Sequence, residues 1–70
     1  MSILTDAFDG LLEYYPELSQ KHIRDGIIER VSVPDTGNNQ KDYESVRNQV
    51  ENLVTSYIQD GRFIGSSGHE

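Results

Sequence analysis

The groups that could do chemistry in this chain are its carboxylates, two histidines and a pair of serines near the end. Calcium binding is the first possibility, because Asp35, Asn39 and Asp42 bring oxygen ligands into one polar stretch. An EF-hand loop beginning at Asp35 needs glycine at its sixth position and glutamate at its twelfth. Gln40 and Val46 occupy those positions. The pattern therefore indicates a turn and a helix cap, and we expect no metal site.

The histidines and serines do not form a catalytic arrangement either. His22 and His69 are the only imidazoles, and neither has further ligands at metal-binding spacing. Ser66 and Ser67 lie in a Gly-Ser-Ser-Gly segment, but phosphate-binding loops of that kind lead into the beginning of a helix. This one follows a predicted helix. We therefore expect no enzymatic activity and no cofactor.

Composition bounds the kind of protein. Seventy residues allow one domain, and the lack of cysteine excludes disulfides and thiolate metal sites. No apolar run approaches the ~20 residues that span a membrane, and no signal peptide is recognisable. Twelve acidic against six basic residues give a net charge of −6, which favours basic partners over nucleic acid. We expect a soluble, cytoplasmic domain that does not bind membranes.

The spacing of apolar residues predicts two helices in the first half of the chain. The first begins after an N-cap at Ser2 and ends at Tyr15, because Pro16 disfavours helical geometry in the residue before it. The second begins after an N-cap at Ser19 and ends at about Arg30. Little room separates the two, so they form a corner or a hairpin.

The second half predicts one long helix. Asp42 is its expected N-cap, and Gly61 fits the left-handed position that closes a helix. We predict a mainly α, compact three-helix domain over residues 1–64, winged-helix-like with a short β-bridge or partial wing near residues 31–33 and 62–64. A flexible tail, residues 65–70, follows.

Residues 43–67 resemble the recognition helix and first wing strand of small prokaryotic and phage winged-helix domains. In that family an amphipathic helix ends in an acidic residue and glycine, as at Asp60 and Gly61, and an apolar strand and a small polar wing tip follow. The resemblance implies that the beginning of the helix and the wing contact phosphates and base edges. The residues it assigns to that role are Tyr43, Ser45, Arg47, Asn48 and Arg62.

Three features weigh against DNA binding. The loop before the third helix, residues 34–41, is longer than a helix-turn-helix turn, and no second wing strand follows the first. Tight DNA binding commonly uses about 6–10 phosphate contacts, whereas the six basic residues here are scattered among twice as many acids. The sequence favours the architecture over the activity.

The leading hypothesis is a small acidic, non-enzymatic module that binds a basic protein surface. A phage or mobile-element accessory or regulatory factor fits its size and acidity. The acids expected to face such a partner are Glu13, Glu17, Asp25, Glu29, Glu44 and Glu51. The alternatives are a winged-helix DNA-binding transcriptional or replication regulator, and a homo-oligomeric structural or assembly factor.

Overall fold

Three α-helices and one short 3₁₀ helix make up the computed structural model, which describes residues 2–63. Helix α1 spans Ile3–Leu12, α2 spans Lys21–Arg30 and α3 spans Asn39–Asp60, while the 3₁₀ helix Pro16–Ser19 links α1 to α2. The predicted mainly α, three-helix fold is confirmed. The predicted tail lies outside the described residues.

The first helix begins as predicted and ends earlier. The hydroxyl oxygen of Ser2 accepts a hydrogen bond from the backbone N–H of Thr5 at 3.1 Å, which satisfies one donor of the first turn. At the other end, the N–H groups of Tyr14 and Tyr15 both donate to the carbonyl of Leu11, at 3.0 and 2.8 Å. This tight turn ends α1 before Tyr15 and lets Pro16 open the 3₁₀ helix.

The predicted N-cap of α2, Ser19, is wrong. Its hydroxyl donates instead to the carbonyl of Pro16 at 2.8 Å, which closes the 3₁₀ turn. Gln20 is the N-cap and makes no side-chain hydrogen bond there. The 3₁₀ turn buries Leu18 in the core, so the linker between α1 and α2 contributes to packing.

The third helix begins before its predicted cap. Asn38 is the N-cap, and its side-chain oxygen accepts from the N–H of Lys41 at 3.1 Å. The prediction of Asp42 as N-cap is therefore wrong. Asp42 lies inside the first turn, is only 3% exposed, and accepts from the N–H and hydroxyl of Thr36 at 3.2 and 2.8 Å. Its carboxylate holds the preceding loop against α3.

The end of α3 agrees with the sequence. Gly61 has a φ of 74°, and its N–H donates to the carbonyl of Tyr57 at 2.8 Å. This left-handed cap turns the chain back. Phe63 then stacks on Tyr57, with ring centroids 5.0 Å apart, and lies against Gly26 of α2.

No strand or β-bridge occurs in residues 2–63, so the bridge expected at residues 31–33 is not found there. An amide side chain takes the place of a neighbouring strand. Gln49 of α3 accepts from the backbone N–H of Ser32 and donates to its carbonyl, both at 2.8 Å. Ile64, part of the predicted wing, lies outside the described residues.

One core joins all the helices. α1 packs mainly on α3, and the N-terminal part of α1 lies beside the N-terminal part of α3. α2 is held to α3 and the 3₁₀ helix. The buried apolar side chains are Ala7, Phe8, Leu11, Leu18, Ile23, Ile27, Val46, Val50, Leu53 and Val54.

Candidate interaction surface

Acidic side chains dominate one side of α1. Asp6 and Asp9 lie in α1, and Glu13 is its C-cap residue, with helical backbone angles (φ −62°, ψ −34°). Their i, i+3, i+7 spacing places them on the same side of the helix, and all three are exposed. None of them forms an ion pair within residues 2–63. The first twenty residues contain no lysine or arginine. We call Asp6, Asp9 and Glu13 the α1 acidic surface.

Three of the acids predicted to contact a partner are available for one. Glu13 belongs to the α1 acidic surface, and Glu17 follows it, half-buried, in the 3₁₀ helix. Glu44 is exposed on α3 and accepts a long hydrogen bond from the side chain of Gln40 at 3.4 Å. These acids lie on α1, on the linker after it and on the helix that α1 packs against.

The other three predicted acids are engaged within the chain. Lys21 Nζ donates to Asp25 at 2.7 Å, and Glu29 lies 3.7 Å from a guanidinium nitrogen of its neighbour Arg30. The hydroxyl of Tyr15 donates to Glu51 at 3.1 Å, which makes that carboxylate a half-buried link between the end of α1 and the middle of α3. The structure therefore does not gather the six predicted acids into one surface.

Sequence reasoning missed two members of the α1 acidic surface, Asp6 and Asp9. The available signal was their i, i+3, i+7 relation to Glu13, together with the absence of bases from the first twenty residues. Both acids alternate along the sequence with the apolar residues that define the core side of α1.

Half of the six basic side chains serve the fold itself. Lys21 is paired within α2, as described above. Arg24 lies over the ring of Phe8 at 5.6 Å from its centroid, and Arg30 lies over the ring of Phe63 at 5.0 Å. Such cation–π contacts use the cation in packing. These three bases all lie on α2, away from the helix that the winged-helix resemblance assigns to DNA.

The residues that the resemblance assigns to DNA contact are not an exposed helix beginning. Because α3 begins at Asn39, Tyr43 already lies one turn inside it, half-buried, with its hydroxyl directed at Gly10 of α1. Ser45 is also half-buried and accepts from Gln49 at 3.3 Å. Two of the proposed base-contacting groups thus take part in contacts within the fold.

The remaining members of that set diverge in direction. Arg47 is half-buried, and Asn48 and Arg62 are exposed. At 100° per residue, Arg47 projects from the side of α3 opposite Ser45, whereas Asn48, three residues after Ser45, shares the side of Ser45. Arg62 lies beyond the helix, after its glycine cap. The five residues do not converge on one face of α3.

Metal ligands do not cluster in the described part of the chain. Residues 2–63 hold no group of three or more histidine, cysteine, aspartate or glutamate side chains placed to bind a metal. His22 Nε2 lies 3.2 Å from the hydroxyl of Tyr57, with the two rings edge to face, so its partner is an aromatic residue of α3. Over the same residues, no helix has both the length and the apolar character needed to cross a bilayer.

Comparison with known protein families, with curated proteins and with solved structures found no match. The winged-helix resemblance therefore stays a prediction. The features that bear on function are the distribution of charge over the described residues and the pairing of those charges within the fold.

Proposed function

We propose that this chain is a small, non-enzymatic module that binds a basic protein surface through the α1 acidic surface. The observation that carries this proposal is the exposure of Asp6, Asp9 and Glu13 on one side of α1 without an ion pair among residues 2–63. No basic side chain of the first twenty residues balances these three charges.

The arrangement is costly for the isolated chain. Asp9 and Glu13 are like charges at i, i+4, which destabilises a helix by about 0.2–0.5 kcal/mol. A basic partner would replace this repulsion with attraction across the interface, and complementary charge mainly accelerates association and selects against wrong partners. The proposal therefore predicts that binding weakens as salt is added.

Size and charge also suggest a cellular role. The size and acidity suit a phage or mobile-element accessory or regulatory factor, for example one that occupies the basic surface of a nucleic-acid-binding protein. A chain without cysteine is compatible with a reducing cytoplasm.

DNA binding, the alternative function, has weaker support. Only Lys41, Arg47 and Arg62 remain outside the contacts described for α2, and tight binders commonly make about 6–10 phosphate contacts. A gel shift with duplex DNA at low salt tests this alternative. We expect no shift at micromolar protein.

A charge reversal with a matched control tests the proposal. The double variant Asp9→Lys/Glu13→Lys reverses the α1 acidic surface, and Asp35→Lys/Asp60→Lys makes the same change in net charge at exposed positions elsewhere. Each variant is used to capture partners from cells that encode the chain, and captured proteins are then purified and titrated.

We expect a basic partner that the unchanged chain and the control variant bind, and that the α1 variant binds at least about tenfold more weakly. Equal binding by both variants would contradict the proposal. Light scattering on the same samples tests the homo-oligomeric alternative, since charge reversal on a self-association surface would change the mass of the particle as well.

A further inference from the structure

The α1 acidic surface borders a groove between the N-terminal parts of α1 and α3. The groove has a volume of about 350 Å³ and is lined by Ile3, Asp6, Asn39, Gln40 and Tyr43. Sites for small ligands commonly enclose about 300–1,000 Å³, so this one has the size for a single long side chain.

Resting on the proposed function, we infer that this groove receives an arginine side chain of the basic partner. The carboxylate of Asp6 has no cationic partner within residues 2–63, and an arginine fork matches a carboxylate with two parallel hydrogen bonds. Ile3 and the ring of Tyr43 supply apolar walls for the methylene stem. A guanidinium is also attracted to an aromatic face.

The charges around the groove favour a cation. Two helix N-termini meet there, and their dipoles oppose positive charge, but each helix has an acid in its first turn: Asp6 in α1 and Asp42 in α3. Glu44 adds an exposed carboxylate next to Tyr43. Lys41 projects from the opposite side of α3 from Tyr43, since two residues turn a helix by about 200°.

A second groove of similar size provides the contrast. It has a volume of about 360 Å³ and is lined by Ser19, Lys21, Arg24, Asp25 and Ile28. Two of these residues are cationic, and the only carboxylate already accepts from Lys21 at 2.7 Å. The two grooves have similar volumes, but the cationic side chains of the second one repel a guanidinium. We therefore expect no arginine to bind there.

The test is a titration of the full chain, labelled with ¹⁵N, with a blocked peptide Gly-Ser-Arg-Gly-Arg-Gly-Ser. The matched probe replaces both arginines with citrulline, which has nearly the same shape and no charge. We expect saturable shifts of the backbone amides of Ile3–Asp6 and Asn39–Tyr43 with the arginine peptide alone. The amides of Lys21, Arg24, Asp25 and Ile28, which line the second groove, do not shift.

Variants locate the contact. Asp6→Asn weakens binding of the arginine peptide about threefold to fivefold, the value of one partly exposed ion pair, while Asp60→Asn, at the exposed C-terminal end of α3, changes it less than twofold. Asn39→Asp adds a carboxylate to the groove wall at an exposed first-turn position and strengthens binding. This gain keeps the inference testable if Asp6→Asn were to disturb α1.

Each outcome bears on one claim. Shifts spread evenly over all exposed acids, or an affinity that Asp6→Asn and Asn39→Asp leave unchanged, would overturn the groove as an arginine site. The proposed function would survive that result, because it depends on loss of partner binding by Asp9→Lys/Glu13→Lys.

Discussion

The ring of Phe63 occupies the space into which a β-carbon on Gly26 would project, and its Cζ atom would lie 2.9 Å from that carbon. Phe63 also stacks on Tyr57 at 5.0 Å, with the guanidinium of Arg30 over its ring at 5.0 Å. A glycine in the middle of α2 thus allows the chain after α3 to pack directly on the α2 backbone. The two helices are joined by this contact.

We expect Gly26→Ala to destabilise the protein by about 1–2 kcal/mol, although alanine is ordinarily the better helix former by about 1 kcal/mol. The added methyl group meets a ring held by Tyr57 and Arg30, so we expect the overpacking to cost about 2–3 kcal/mol, the upper part of its usual range, of which the helix propensity of alanine offsets about 1 kcal/mol. Urea unfolding followed by circular dichroism gives the change.

The same substitution in a Phe63→Ala background supplies the control for this prediction. Without the ring, Gly26→Ala has nothing to displace and should be neutral or stabilising, so the double-mutant cycle shows strong coupling. Additive effects of the two substitutions would contradict the contact.

Gly10 provides a milder version of the same test. A β-carbon there would lie 2.9 Å from the hydroxyl oxygen of Tyr43, the far end of a side chain that can shift. We expect Gly10→Ala to be close to neutral, because the helix propensity of alanine offsets the crowding. Combined with Tyr43→Phe, which removes the hydroxyl, it should stabilise the protein by about 1 kcal/mol. Thermal unfolding of the single and the double variant measures both effects, and equal midpoints would contradict the contact between Gly10 and the Tyr43 hydroxyl.

The caps show what the sequence reveals and what it conceals. Ser2 and Gly61 could be predicted because each acts on its own turn of helix. For α3 the sequence offers two good N-caps, Asn38 and Asp42, within one stretch. The choice between them depends on Thr36, which donates twice to Asp42 and so removes it from the cap position.

Contacts between segments that are distant in the chain could not be predicted either, because they form only in the folded structure. Neither the placement of Phe63 on Gly26 nor the hydrogen bond from Tyr15 to Glu51 has a local signature in the sequence. The second contact engages Glu51, one of the acids predicted to bind a partner, within the fold. By contrast, the spacing of the α1 acids is visible in the sequence itself.

Asp42 is expected to contribute more to stability than any exposed acid. Asp42→Ala removes the charged acceptor of two hydrogen bonds from Thr36, and hydrogen bonds to charged groups contribute about 1.5–3 kcal/mol. Asp35→Ala, in the same loop and exposed, is the control and should change the free energy of unfolding by less than about 0.5 kcal/mol. Equal effects in urea unfolding would show that the buried carboxylate does not hold the loop.

The side-chain nitrogen of Gln49, which donates to the carbonyl of Ser32, can be tested by replacing that one atom. Gln49→Glu keeps the size of the side chain but replaces the N–H₂ group that donates to the carbonyl of Ser32. Two acceptors then face each other, and we expect a loss of about 1–3 kcal/mol. Asn48→Asp makes the same change of charge at an exposed neighbour and should be nearly neutral. Faster hydrogen exchange at the Ser32 amide in the first variant alone would locate the effect.

A last prediction separates stability from binding at the α1 acidic surface. Glu13→Lys turns the repulsive pair with Asp9 into an attractive one and places a cation just after the C-terminal end of α1, where the helix dipole favours it. We expect the variant to be more stable by about 0.5–1 kcal/mol and to bind the basic partner more weakly. Glu13→Gln removes the charge without reversing it, so its stability and its binding should lie between those of the unchanged chain and of Glu13→Lys.

A gain in stability together with a loss of binding would separate a binding role from simple solubility. If the acids of α1 served only to keep the protein in solution, Glu13→Lys would raise the unfolding midpoint and leave binding unchanged. If Glu13→Lys weakens binding while it raises stability, the acids of α1 lower stability in favour of binding, a cost that stabilising an interaction site often reveals. Thermal unfolding and a binding titration on the same preparations measure both effects, and a variant that is less stable than the original would contradict the repulsion between Asp9 and Glu13.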